Sequence, residues 1–194
     1  MISDETLMLE FQSGSREAFE ELFARYRQPL YGFFRRRLES NGRAEELAQD
    51  TFLAVIRATS RYEARALVRT YLYSIAFNLL AAERRKQARS PMPAQDPPEP
   101  ATNDPPENAL WVRQALEKLD AYEREILMLR EYEQLSYLEI STLLRIPVNT
   151  VRSRLFRARM ALKECLEQAE RPQVPVAARR EEISVNKRPA DDEA

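Results

Sequence analysis

Residues Leu135–Arg159 read LSYLEISTLLRIPVNTVRSRLFRAR. Apolar residues recur at helical spacing over 137–144, stop at Arg145-Ile146-Pro147, and resume along a second amphipathic run from 148 to 168. Proline lacks a backbone N–H and fixes its own φ, so Pro147 suits the connection ahead of a helix and not a helix interior. Ile140, Leu144, Ile146 and Val151 are spaced so that two helices can cross over a shared core. That is the helix-turn-helix arrangement, whose second helix lies in a major groove of DNA. On this second helix Val151, Leu155, Ala158 and Leu162 are expected to face inward. Arg152, Ser153, Phe156, Arg157 and Arg159 are expected to face outward. Arg145 stands in the turn where glycine would accept a positive φ without steric cost.

Charge supports the same reading. Over 111–144 there are four cations (113, 118, 124, 130) and seven anions (117, 120, 123, 125, 131, 133, 139). Over 145–163 there are six cations (145, 152, 154, 157, 159, 163) and no anion. A cationic helix on an otherwise acidic unit gives a directed footprint for a polyanion. The plain alternative, a solvated Arg-rich helix, explains the charge but not the core spacing.

Over the whole chain the signs nearly cancel, with 30 Lys+Arg against 31 Asp+Glu in 194 residues. Only four of the cations are Lys, at 86, 118, 163 and 187, so the rest are arginine, suited to bidentate contacts with phosphates and base edges. There are no histidines, which excludes His-based triads, His-ligated metals and imidazole acid–base chemistry. Cys165 is the single cysteine, so no intrachain disulfide can form. The glycines at 14, 32 and 42 make no phosphate-cradling loop. The N-terminus is acidic, and no apolar run approaches the roughly 20 residues of a membrane span. These features predict a soluble intracellular protein that is not an enzyme and needs neither cofactor nor metal.

Working outward, seven of the 12 prolines fall between Ser90 and Glu107, with four acidic residues and no cation. The segment 90–107 therefore reads as an extended acidic linker. It divides a block over 1–89 from one over 108–169, and 170–194, with three more prolines and mixed charge, reads as a disordered tail. Both blocks have helical periodicity and no convincing alternation of period two, so the expected fold is all-α, two small helical bundles on a tether. The C-terminal block should hold helices near 108–119, 121–132, 137–144 and 148–168.

In the N-terminal block a stripe runs through Ala18, Phe19, Leu22, Phe23 and Tyr26 and continues past Pro29 through Leu30, Phe33 and Phe34. Asn41-Gly42 reads as a chain break. Leu47, Ala48, Thr51, Phe52, Val55 and Ile56 form the next core face. A long helix from about Leu67 turns Tyr71, Leu72, Ile75, Ala76, Leu79 and Leu80 inward, and a short helix at 4–11 packs on the bundle. Between Arg61 and Arg89 seven cations are interleaved with Tyr62, Tyr71, Tyr73 and Phe77. Cations beside aromatic faces can track a phosphate backbone and stack an unpaired base, although Phe77 is better read as core. The helix over 44–58 instead shows Glu45, Glu46, Gln49, Asp50 and Arg57 with Leu53 beside them, a face suited to a protein partner.

The segments AEELAQDTFLAVIRA, RTYLYSIAFNLLAAERRK and LREYEQLSYLEISTLLRIPVNTVRSRLFRARMAL, in that order around an acidic linker, resemble an extracytoplasmic-function sigma factor of bacteria. The resemblance spans roughly 5–168. It implies a promoter-specificity subunit built from a sigma-two domain (1–89) and a sigma-four domain (108–169). Its implied partners are core RNA polymerase, promoter DNA at the −35 and −10 elements, and an anti-sigma factor. The implied location is cytoplasmic, on the nucleoid in the holoenzyme or held at the membrane by the anti-sigma factor, without membrane insertion by the chain itself. A stress or envelope response is the implied setting.

Position by position, the resemblance puts Glu46, Gln49, Asp50, Leu53 and Arg57 on the polymerase. Tyr62, Arg65, Arg69, Tyr71 and Asn78 go to the −10 element, with Arg84 and Arg85 on its backbone. Arg130, Tyr137, Arg152, Ser153, Phe156 and Arg157 go to the −35 element. Tyr71 stands where the family often has Trp, and Ser74 where a basic residue is common. Two other readings stay open on the residues alone. A dimeric helix-turn-helix regulator would explain 135–163 but leave the second cationic patch idle. An all-helical protein-binding adaptor would leave the anion-free run unexplained.

Overall fold

The computed structural model describes residues 2–63, 67–89, 112 and 114–170. Its described elements are all helical: α1 (Asp4–Gln12), α2 (Arg16–Arg35), α3 (Asn41–Ala58), a 3-10 turn (Thr59–Arg61), α4 (Val68–Arg89), α5 (Ala121–Glu131), α6 (Tyr137–Leu144) and α7 (Val148–Glu170). The expected linker 90–107 and tail lie outside the described residues, apart from position 170 at the end of α7.

Local sequence sets the helix starts. Ser3, Ser15, Ser40, Asp120 and Ser136 each accept a backbone N–H of the first turn through the side chain, which satisfies donors the helix itself leaves free. Ser40 also explains a departure from expectation. Asn41-Gly42 does not break the chain but forms the first turn of α3, and the break lies at 36–40, between α2 and that cap. Pro29 sits inside α2 without ending it.

In the N-terminal unit α1, α2, α3 and α4 enclose Met8, Leu30, Phe33, Phe34, Leu47, Val55, Leu72, Ala76 and Leu80, all at most 3% exposed. Burying each large apolar side chain contributes roughly 1.5–3 kcal/mol, so this cluster is the main source of the unit's stability. Ile56, expected in that core, is 45% exposed on the outer side of α3. Tyr71, Ile75 and Leu79 are only partly buried at its edge. Arg43 ties α3 to α4 through Glu83 at 2.7 Å, with Glu46 as a second partner at 2.6 Å.

In the C-terminal unit α5, α6 and α7 enclose Ile126, Leu129, Leu135, Ile140, Val151, Leu155 and Ala158, each at most 1% exposed. Of the first expected helix, positions 112 and 114–117 are helical before a turn at 118–119. Arg145 ends α6 in the left-handed region at φ 54°, ψ 44°, the conformation its place in the turn demands of a non-glycine residue.

Candidate nucleic-acid and polymerase interfaces

The helix-turn-helix forms as its spacing predicts. Ile146 N–H donates to the Ser141 carbonyl at 3.1 Å, and Ser141 Oγ donates to the Ile146 carbonyl at 2.6 Å, closing the turn from both sides. The core face of α7 is Val151, Leu155 and Ala158, with Leu162 partly buried beyond them. Rotation about the helix therefore carries Arg152, Ser153, Phe156, Arg157 and Arg159 to the surface, where Phe156 is 65% exposed.

The six residues expected at the −35 element separate into two groups. Arg152, Ser153, Phe156 and Arg157 lie along one exposed stretch of α7. Ser153 Oγ donates to the Thr150 carbonyl at 3.1 Å, and Arg157 meets Glu123 of α5 at 3.2 Å. Arg130 and Tyr137 lie across the groove between α5 and α6 and are half-buried. The Arg130 guanidinium donates to the Leu135 carbonyl at 2.9 Å and lies 5.4 Å from the Tyr137 ring centroid. These two brace each other as well as flanking the surface. Arg154, not assigned a role from sequence, lies 5.1 Å from the Tyr122 ring centroid, and Arg159 pairs with Glu131 at 2.7 Å.

The residues expected at the −10 element do not gather on one open face. Asn78, Arg84 and Arg85 are exposed along α4. Tyr62 is only 7% exposed, its ring centroid 5.3 Å from that of half-buried Tyr71, and its carbonyl accepts from Gln12 at 3.1 Å. Arg65 lies outside the described residues. Arg69 makes a bidentate pair with Glu139 of α6, at 3.0 and 2.9 Å through one guanidinium nitrogen, with a third contact at 3.2 Å.

Glu139 has more than one task. Its carboxylate accepts from the Ser136 backbone N–H at 2.7 Å, completing a capping box at the start of α6, and from Thr70 Oγ1 at 2.9 Å. Burial alone would raise its pKa, but the hydrogen bonds from Arg69, Ser136 and Thr70 outweigh burial and hold it at about 2.

A second ionic cluster, not expected from sequence, joins the end of α2 to the C-terminal unit. Arg37, whose side chain is 1% exposed, pairs with Glu125 and Glu133, each at 2.8 Å, and its guanidinium lies 3.9 Å from the Phe33 ring centroid. Arg36 pairs with Glu133 at 3.0 Å and lies 4.6 Å from the Tyr132 ring centroid. Burial opposes the Arg37 charge, yet the two carboxylates more than offset it and raise its pKa. Burial, reinforced by the nearby Glu133 charge, pushes Tyr73 up to about 12. The only local signal in the sequence was the run Arg35-Arg36-Arg37 after an apolar stripe, which names no partner.

The expected polymerase face is open. Glu46, Gln49, Asp50, Leu53 and Arg57 are all exposed on α3, with Leu53 at 44%. Beside them a cleft of ≈ 620 Å³ opens between α2 and α3, lined by Phe23, Tyr31, Glu45, Gln49 and Phe52 among others. Carboxylates beside exposed aliphatic groups can hold a partner by burial at the centre and charge at the rim. Among the described residues no group of His, Cys, Asp and Glu could hold a metal ion, and no helix is long and apolar enough to cross a membrane.

Comparison with known proteins bears on both units. The family model for Sigma-70 region 2 matches residues 22–90, and that for Sigma-70, region 4 matches residues 109–162. The RNA polymerase sigma-H factor of Pseudomonas aeruginosa is 33% identical over 181 residues, covering 84% of this chain and 94% of that protein. The ECF RNA polymerase sigma-E factor of Escherichia coli is 30% identical over 178 residues, covering 83% and 93%. Among solved structures, that of CnrH in complex with the cytosolic domain of CnrY matches with a TM-score of 0.64 and 26% identity. The match covers 85% of this chain and 97% of CnrH.

Proposed function

The chain belongs to the extracytoplasmic-function sigma factors, promoter-recognition factors of transcription initiation, and from that premise we propose how its surfaces divide the work. The N-terminal unit, 1–89, binds core RNA polymerase through Glu46, Gln49, Asp50, Leu53 and Arg57 on α3. It reads the −10 element with Tyr62, Arg65, Arg69, Tyr71 and Asn78, with Arg84 and Arg85 on phosphates. The C-terminal unit, 108–169, reads the −35 element from α7, with exposed Arg152 the candidate for a base contact and Arg130 and Tyr137 supporting the helix.

The single observation that carries the assignment is the exposed, anion-free first part of α7, up to Lys163, on a preformed helix-turn-helix. The placement of the two matched regions on either side of 91–108 supports the division into two domains. The chain performs no catalytic step itself. Capture of an unstacked base offsets the few kcal/mol needed to open a base pair, and two modest DNA contacts on one polymerase reinforce each other through effective concentration. CnrH is solved with the cytosolic domain of CnrY; by analogy this chain is held by an anti-sigma factor in the cytoplasm.

Co-elution of the full chain with purified bacterial core RNA polymerase on a sizing column tests the reading. A one-to-one complex weakened by Asp50→Arg is expected. No complex, together with self-dimerisation and binding to a palindromic site, would replace it with a stand-alone regulator.

A further inference from the structure

Helix α1 is held firmly by the rest of the N-terminal unit. Leu7 and Met8 are buried in the core, and Asp4 pairs with Arg25 at 2.6 Å and accepts from the Tyr26 hydroxyl. Two further polar residues of α1, Glu5 and Gln12, reach elsewhere. They stand seven positions apart, close to two full turns, and so share one face of the helix.

The Gln12 side-chain amide donates to two carbonyls, those of Thr59 and Tyr62, each at 3.1 Å. The Thr59 carbonyl also accepts the Tyr62 N–H at 3.1 Å, so Gln12 closes on the turn that presents Tyr62. Glu5 holds the start of α4. Its carboxylate accepts the Val68 N–H at 3.2 Å, a first-turn donor for which α4 has no acceptor of its own. In that same turn the Tyr71 N–H donates to the Leu67 carbonyl at 3.0 Å, and the Tyr71 ring centroid lies 5.3 Å from that of Tyr62. Burial, and after it the Glu5 charge and Tyr71, push the Tyr62 hydroxyl pKa up, so these side chains share one environment.

These bonds do not serve the core. Gln12 is exposed, and its two bonds cross 47 and 50 positions of chain to reach one turn. A reading surface needs such support, because it works only when the residues beneath it hold it to within about 0.5 Å.

We propose that Gln12 and Glu5 are positioning residues of the −10 reader. From α1 they fix Tyr62 and the first turn of α4, so that the Tyr62–Tyr71 pair presents one surface to an unpaired base. This role rests on the assignment of Tyr62 and Tyr71 to the −10 element.

The test uses holoenzyme assembled from the full chain and core RNA polymerase. It is offered duplex fragments with an unpaired, fully randomised stretch of six nucleotides, and the bound strands are sequenced. Wild type should enrich a short motif over the background of core polymerase alone. Gln12→Met keeps the length of the side chain but has no donor, and should lower that enrichment about tenfold, as two lost hydrogen bonds would. Glu5→Leu, which loses one bond, should lower it about threefold. Gln12→Lys restores a donor and Glu5→Gln keeps an acceptor, so both should stay within about twofold of wild type. Affinity for core polymerase should be unchanged in all four, because the α3 face is untouched.

Equal enrichment in every variant would overturn this role, as would a loss in Gln12→Met that Gln12→Lys does not repair. If Gln12→Met loses helix content by circular dichroism, Gln12→Asn, one methylene shorter, takes its place. A wild type that enriches no motif would count against the −10 assignment instead. Amide hydrogen exchange at 59–62 and 68–72, quickened in Gln12→Met and Glu5→Leu if α1 holds these segments, would then still decide the positioning.

Discussion

Arg152 and Glu139 are charged residues with opposite surroundings. Arg152 projects from α7 and makes no ion pair among the described residues, so its guanidinium is available to a base edge or a phosphate. If it reads a base, Arg152→Ala costs roughly 1–3 kcal/mol at the cognate −35 sequence and little elsewhere. Promoter-binding titrations on matched and mutated −35 elements check this, and an equal loss on all sequences would make it a phosphate contact. Glu139 is 6% exposed, and hydrogen bonds hold its carboxyl at about 2 against an ordinary 4.5. A depressed carboxyl favours the folded chain fully above about pH 4.5 and loses that contribution as pH falls toward 2. Glu83, held down by Arg43, acts in the same direction. Urea titrations between pH 7 and 3 should show stability falling with acid, with a shallower fall in Glu139→Gln.

At the scale of elements, the turn between α6 and α7 carries a local cost in return for its geometry. Arg145 holds φ 54°, where Cβ itself crowds the following carbonyl oxygen. Arg145→Gly should stabilise the chain by about 1 kcal/mol, measured as a rise in melting temperature. A fall would mean that the Arg145 side chain contributes more than the backbone loses. The amphipathic patterns of α2 and α7 placed their buried faces correctly from spacing alone, because a period near 3.6 leaves one stripe that must find a core. The pattern failed at Ile56, an aliphatic residue left 45% exposed beside Leu53. Hydrophobicity states that a side chain gains from burial, not that this fold provides it; on α3 the apolar surface faces outward, where a partner can cover it. The supposed break at Asn41-Gly42 failed for a different reason, since the cap at Ser40 made those residues a first turn.

For the whole molecule, Arg69, one of the proposed −10 readers, is held by Glu139 of the helix-turn-helix unit. The isolated chain should therefore bind promoter DNA poorly, with core polymerase required for tight and selective binding. Nanomolar promoter-specific binding by the free chain in an electrophoretic mobility assay would contradict this.

Some of the molecule was determined by sequence alone. Helix positions, the helix-turn-helix, the cationic face of α7 and the outward α3 face follow from spacing, capping residues and charge, which act over one or two helical turns. Glu139 is the third helical residue after Ser136 and completes its capping box, an S-x-x-E spacing that is itself local in the sequence. What only the tertiary structure decided is where α2 and α4 meet α5 and α6. Arg37 and Glu133 are 96 positions apart, and Arg69 and Glu139 are 70 apart. A charge attracts any opposite charge with little regard to sequence, so only the packing of the two units decides which carboxylate reaches which arginine and which of those pairs is shut away from water.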